Sequence, residues 1–413
     1  MMSRRIYISV LAVCVLLGGC TDDSYRGLYD FYHSGYHTSE IPVWIKIGES
    51  TDIEAKGNGV VEDTKGFGDR DFYVYAFNKD KGTSYAKLSS DDALNTLLDG
   101  SIDDANSLAG RTAEWNRKYE RVVWKDGKDV YWPVSEVKDY RYDFFAYYID
   151  DMEVRKEDYT RTEDRITLNV EIDGRQDIMS AKAAPSRLKL ETMFPDEKER
   201  VYYEHYYCYS WQSAIMNLQP EFVFNHHMTK IRFQAKPGVK KDVVNEVTIM
   251  GLAIESRYKG TFTVAARDGE LGIDFTDKPK EFPMPGVDRD HSYVVTTLRE
   301  APSDGTYPLT DIGDYLLLAP SANGYNIHLT MSERRDTDLD GVFDEDRGEG
   351  SYSTFIYQGT KEQPDPFEPG SEYTVTLNVY GREDVRVNVE VTPWEGGGYG
   401  VPDTEDRPPE ADE

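Results

Sequence analysis

Asp336, Asp338, Asp340, Asp344 and Asp346 carry the sharpest chemical signal in the chain. They lie in the run Asp336-Thr337-Asp338-Leu339-Asp340-Gly341-Val342-Phe343-Asp344-Glu345-Asp346. Acids at the first, third and fifth positions, glycine at the sixth for a tight turn, an apolar eighth residue and Asp at the ninth match a calcium-binding loop. Hard carboxylate oxygens gathered in one short loop suit a cation that takes about six to eight oxygen ligands. The twelfth position, where a bidentate Glu closes an EF-hand shell, is Arg347. The loop is therefore not a standard EF-hand, and Asp344 or Asp346 is left to complete the shell. The competing reading of the same residues is a solvated acidic turn. Calcium of the low-affinity extracellular type is the favoured reading, and no other cofactor is expected.

Residues 201–211, Val201-Tyr202-Tyr203-Glu204-His205-Tyr206-Tyr207-Cys208-Tyr209-Ser210-Trp211, form a second concentration. Exposed aromatic faces suit sugar or protein binding. Because the aromatics fall on both faces of an extended segment, the simpler expectation is a strand region whose alternate members enter a core. The histidines read as structural. His33 and His37 stand four apart, but Gly35 and the aromatic neighbours argue against a helical metal pair. His226 and His227 fall on an expected strand as core or edge residues. The sequence holds no nucleophile elbow, phosphate loop, zinc-protease helix or paired Cys-His arrangement. With 76 acidic residues, carboxylate pairs arise by chance and do not specify a glycosidase. The chain reads as a non-enzyme.

The N-terminus sets the compartment. Arg4 and Arg5 precede an uncharged apolar stretch over residues 6–17, followed by Gly18, Gly19 and Cys20. A twelve-residue helix spans only ~18 Å, short of the ~30 Å of bilayer hydrocarbon, so the segment reads as a cleaved export signal rather than an anchor. Small residues immediately before Cys20 resemble a bacterial lipobox, which implies cleavage after residue 19 and lipidation of Cys20. The protein is then tethered to the outer membrane or cell surface by lipid and does not span it. The net charge is −29, and loss of Arg4 and Arg5 makes it two units more negative. Such a surface repels nucleic acid and anionic lipid. With Cys14 removed and Cys20 lipidated, Cys208 stands alone, so the fold must rest on hydrophobic cores.

Those cores belong to strands. Val43, Ile45 and Ile47 share one face of residues 42–47, and residues 166–172 alternate with period two. Residues 72–77 and 142–149 are aromatic-rich runs. Further strand patterns occupy residues 230–235, 247–254, 261–264, 315–318 and 327–330. A hairpin closes the chain: Tyr373, Val375, Leu377 and Val379 alternate, residues 381–384 turn, and Val385, Val387, Val389 and Val391 alternate back. Only residues 91–98 and 188–193 read as short helices. The expected fold is all-β, with two β-sandwiches in tandem. The expected segments are a signal peptide (1–19), a tether (20–40), sandwiches at 41–221 and 222–395, and an acidic disordered tail (396–413).

The order of these blocks is similar to that of the fimbrillin family of Bacteroidetes. The resemblance rests on residues 73–77, then Val130-Tyr131-Trp132-Pro133 leading into residues 142–148. It continues through Asp177-Ile178-Met179-Ser180-Ala181, Phe224-Asn225-His226, Lys230-Ile231-Arg232-Phe233, and Val391-Thr392-Pro393-Trp394. It implies transthyretin-like sandwiches and a type V pilus (fimbria) subunit acting in adhesion, exported as a lipoprotein. Its implied partners are other pilus subunits and a host or bacterial surface ligand. It also implies assembly by strand exchange, with Val43, Ile45 and Ile47 on a removable strand and Val385, Val387, Val389 and Val391 on a donated one. A groove that lacks a strand is completed by an incoming alternating strand. Processing in the family follows Arg or Lys; here Lys56, Lys65 and Arg70 follow Lys46, with no preferred site among them. The tail beyond Trp394 also lacks alternating apolar residues, and both departures leave an anchor or tip-like accessory subunit open beside the stalk. The alternative is a monomeric glycan-binding surface lipoprotein. If Cys20 is the lipidated residue, Cys20→Ala abolishes incorporation of labelled fatty acid and releases the protein from membranes. Unchanged labelling would refute the assignment.

Overall fold

The structure, a computed structural model, describes residues 41–393 except 48–69, 80–81, 88–93, 117, 120, 134–139, 186 and 361–362. The export signal, Cys20, the tether, His33, His37, Lys56, Lys65 and the acidic tail lie outside the described residues. The architecture is all-β; among the described residues, short helices are confined to one stretch between residues 187 and 215 apart from isolated 3₁₀ turns.

Two aromatic runs build the centre. Phe72–Asn78 and Tyr142–Ile149 pair antiparallel in the middle of a seven-stranded sheet. Across the sheet the order is Asn225–His226, Ile178–Lys182, Tyr142–Ile149, Phe72–Asn78, Arg111–Asn116 and Arg121–Trp124, with Thr96–Leu98 also paired to Phe72–Asn78. Successive side chains on a strand point to opposite faces. Phe72, Val74, Ala76, Phe144 and Ala146 enter one core, and Tyr75, Phe77, Phe145 and Tyr147 enter another. Both faces are buried, which is why these strands read as unbroken apolar runs.

One face is covered by residues 41–47 and by the helices Arg187–Met193, Glu197–Tyr207 and Trp211–Ile215. The other meets a four-stranded sheet ordered Gly272–Phe275, Lys259–Ala266, Arg165–Glu171 and Tyr159–Arg161. There Phe262 packs edge-on against Tyr147, ring centroids 6.1 Å apart. A buried ion pair ties the layers: Arg161 Nη2 lies 2.5 Å from Asp99 Oδ2, and its guanidinium sits 5.7 Å from the Tyr75 ring.

The middle strands of this second sheet pair from Lys259↔Glu171 to Ala266↔Arg165. They stand on opposite sides of the 221/222 position, so the two halves share a sheet and a continuous core. The remainder of the C-terminal half is a sandwich. One sheet runs Thr310–Leu318, Thr229–Pro237, Ser371–Gly381 and Asp384–Pro393. The other sets Lys280–Pro283 and Tyr293–Thr296 beside Val244–Ser256, followed by Tyr325–Asp336 and Glu345–Ile356. Ile231, Phe233, Tyr373, Val375 and Leu377 share a core with Val247, Ile249, Ile327, Leu329 and Met331. One buried face per sheet gives the alternating sequence pattern.

Two local expectations are corrected. Of residues 91–98, 91–93 are outside the described residues and Thr96–Leu98 is a strand, because pairing to Phe72–Asn78 buries all three side chains. Residues 201–207 lie in the helix Glu197–Tyr207 rather than a strand. Asp196 starts that helix, its carboxylate accepting from Lys198 N (2.9 Å) and Glu199 N (3.1 Å). A local cap overrides the strand preference of the tyrosines.

His227 lies at the junction of the central and shared sheets, with Nε2 2.7 Å from Ser180 Oγ and its ring 5.3 Å from Phe262. Burial, then neighbouring His226, pulls its pKa down to about 4, against an opposing pull from Asp177. The folded state thus refuses a proton that the unfolded state accepts below about pH 6.5. Stability is full above that pH and falls as pH drops toward 4, by up to about 3 kcal/mol. His227→Gln should flatten this part of a pH series of denaturant unfolding curves. An unchanged slope would exclude His227 as its source.

Candidate functional site

Three regions singled out by sequence can be placed: the N-terminal segment, the terminal strand and the acidic loop. Residues 41–47 lie along an apolar groove with Ile41, Val43 and Ile45 buried and Ile47 half-buried. Their backbone contacts go to several separate elements. Val43 N donates to Val130 O (2.7 Å), Trp132 N to Ile41 O (2.9 Å), Val122 N to Ile45 O (2.9 Å) and Lys46 N to Pro220 O (3.0 Å). Regular pairing is limited to Lys46–Ile47 beside Glu221–Phe222, in parallel. The segment is held by buried side chains and by backbone bonds to several elements, with one further bridge at Pro42↔Tyr131. Trp44 points outward, with the Arg121 guanidinium over its ring at 5.4 Å. Arg70, a basic residue that follows the segment, is engaged: its Nη1 donates to Asp150 Oδ1 at 2.7 Å.

The terminal strand Asp384–Pro393 pairs along its length with Ser371–Gly381, from Ser371↔Pro393 to Gly381↔Asp384. Among the described residues its outer edge has no strand partner. Burial declines along it: Val385 is 4% exposed, Val387 and Val389 are half-buried, and Val391 is 51% exposed. The two segments expected to take part in strand exchange thus lie against different cores.

The acidic loop joins Tyr325–Asp336 to Glu345–Ile356. Carboxylate oxygens of Asp336, Asp338 and Asp340 lie within 4.8 Å of one another. Gly341 adopts φ +90°, a conformation suited to glycine, and its N–H donates to Asp336 Oδ2 at 2.9 Å. Asp344 is not in this group: Thr337 donates to it from N (2.9 Å) and Oγ1 (2.6 Å), holding its carboxyl below the usual range. Asp346 accepts from Gly348 N at 2.8 Å.

Arg347, where an EF-hand places Glu, serves a network that sequence reasoning missed. Glu333 is fully buried and accepts from Arg335 Nε (3.1 Å) and Arg347 Nη1 (3.0 Å). Arg347 Nη2 also reaches Glu383 Oε1 at 3.4 Å, and Arg382 Nη1 donates to Arg347 O at 2.7 Å. These contacts connect the acidic loop's hairpin to the turn before the terminal strand. A second missed cluster sets His328 Nε2 3.2 Å from Glu255 Oε1 and 3.9 Å from Glu281 Oε1. Its members come from three strands, so no spacing could announce it. In the aromatic helix, Tyr203 is buried and stacks on Phe194 at 4.5 Å, while Tyr202 is exposed. Cys208 is buried, and burial pushes its thiol up to about 12. His226 Nδ1 lies 2.8 Å from Asp177 Oδ1, a structural pairing at the edge of the central sheet.

The chain belongs to the fimbrillin-like family, whose model matches residues 71–394. Membership makes it a fimbrial-type protein, and the fimbrial character of the family points to the cell surface. Among solved structures, a candidate cell adhesion protein from Bacteroides uniformis ATCC 8492 is similar at 15% identity, covering 86% of this chain and 98% of that one, with a TM-score of 0.42. The fimbrial anchor protein Mfa2 from Porphyromonas gingivalis is similar at 12% identity, with 87% and 100% covered and a TM-score of 0.28. The C-terminally truncated tip fimbrial protein Mfa3 from the same organism is similar at 8% identity, with 86% and 100% covered and a TM-score of 0.35. No curated protein matches the chain. Among the described residues, no helix is long and apolar enough to cross a membrane.

Because Ile45 is fully buried in the groove, Ile45→Ala should cost about 2–5 kcal/mol in denaturant unfolding through lost contact and a residual cavity. A change below about 0.5 kcal/mol would show that the segment contributes little to the core it shares with Phe72 and Phe144.

Proposed function

We propose that the chain is a subunit of a type V-like fimbria, exported as a lipoprotein through Cys20 and assembled with other subunits by strand exchange. Residues 41–47 are the strand that leaves, and residues 385–391 are the strand donated to the next subunit. The carrying observation is the seating of Ile41, Val43 and Ile45 in an apolar groove, with strand pairing only at Lys46–Ile47 and a single bridge at Pro42↔Tyr131. Removing such a segment breaks backbone bonds scattered over several elements rather than one continuous ladder, and uncovers a groove lined for alternate apolar side chains. The donor has the matching pattern, with alternating valines on an edge strand whose far end, at Val391, already meets solvent. An unpaired edge accepts an added strand through main-chain hydrogen bonds, and alternate side chains set the register. A host or bacterial surface ligand would be met by the assembled fimbria.

Cysteines placed singly at Val122 or Val130, which flank residues 41–47 and stay when that segment leaves, and at Val389 or Val391 test the exchange on intact cells. Intermolecular disulfides and SDS-resistant ladders are expected. Val387→Asp with Val389→Asp should abolish the ladder, since each carboxylate placed in an apolar groove costs several kcal/mol. Truncation before Gly396 should preserve it. Crosslinks confined to single chains, with one discrete band, would reject exchange and favour a monomeric glycan-binding lipoprotein.

A further inference from the structure

We infer that Asp336, Asp338 and Asp340 form a calcium site at the tip of the hairpin joining Tyr325–Asp336 to Glu345–Ile356. The convergence of their carboxylate oxygens within 4.8 Å is not sufficient alone, because exposed acidic turns are common. The second observation is Asp336 itself. It is 4% exposed, its Oδ2 accepts from Gly341 N at 2.9 Å, and its Oδ1 is buried with no hydrogen-bond partner. A buried carboxylate oxygen without a donor carries a large desolvation cost, and this one belongs to a residue grouped with two further acids. Among the described residues, no Lys or Arg is ion-paired to Asp336, Asp338 or Asp340, although Arg334, Arg335 and Arg347 are close in sequence. Those three are paired to Glu246, Glu333, Glu345 and Glu383 instead. A hard divalent cation supplies the missing positive charge.

The donor set selects the ion. All three side-chain donors are carboxylates, and Asp338 and Asp340 are exposed, which leaves room for water to complete a shell of about six to eight oxygens. Soft or imidazole-preferring metals find no thiolate or ring nitrogen in this group. Asp344, held by Thr337, and Asp346, held by Gly348, brace the loop rather than join the three. The site bears on the terminal hairpin. Arg347 follows the loop and ties buried Glu333 to Glu383, while Arg382 grips the Arg347 carbonyl. Fixing the loop therefore fixes the turn that leads into Asp384–Pro393.

Calcium chloride titrated calorimetrically into the chelator-treated full chain should show one site with a dissociation constant of about 10⁻⁴–10⁻³ M. Melting should move up by about 2–4 °C in 10 mM calcium relative to EGTA. Asp338→Asn with Asp340→Asn should weaken binding at least tenfold and remove that shift. These side chains are exposed, so melting in EGTA should match wild type. Asp336→Asn supplies a second readout that a merely structural role would not give. In EGTA it should melt no lower than wild type, because a like charge is removed; in calcium it should melt lower. Absence of binding up to 10 mM calcium, or equal binding by the double variant, overturns the site. An equal response to magnesium overturns its assignment to calcium.

Discussion

The two middle strands of the central sheet have no face left for water, and the rest of the molecule follows from that constraint. A strand whose odd and even residues are both aromatic or aliphatic must be covered twice. Phe72–Asn78 and Tyr142–Ile149 are such strands, and they sit beside each other. On one side the cover is irregular, made of residues 41–47, three helices and the buried side chains Trp132 and Tyr209. On the other it is a second sheet assembled from both halves of the chain. Burial on this scale supplies the stabilising term that a chain without a disulfide needs among its described residues.

Period-two patterns were legible wherever a sheet has one wet face. Residues 371–391 announced their hairpin because Tyr373, Val375 and Leu377 point inward while Thr374 and Thr376 do not dominate the core. The doubly buried strands were legible as strands but not as the centre, since periodicity cannot say what lies on each face. The pairing of Arg165–Glu171 with Lys259–Ala266 was illegible for a different reason. Edge partners distant in sequence are chosen by three-dimensional fit, which leaves no local signature. The tyrosine-rich helix was misread because composition outweighed the Asp196 cap, a single residue whose effect is local and easily missed.

For the acidic loop, sequence showed the spacing but not the division of labour. Five aspartates fit a template, yet the fold gathers three and turns the other two toward Thr337 and Gly348. Arg347, a departure from that template, has a positive role: it neutralises a buried glutamate and joins two hairpins across the sandwich. A mismatch to a motif can thus mark a second demand on the same residue.

The shared sheet has a consequence for the order in which the chain can mature. During synthesis, residues 72–182 emerge well before Lys259–Ala266, yet Phe145 and Tyr147 belong to a core that Phe262 completes. Until that later strand arrives, the aromatic face of the nascent central sheet is covered only in part, by Tyr159–Arg161 and Arg165–Glu171. Loop closure over so long a separation is slow compared with hairpin formation. The chain therefore passes through a stage, roughly between its midpoint and residue 266, in which a chaperone or a neighbouring nascent chain could occupy that face. Late completion keeps the two halves of a subunit interdependent from birth.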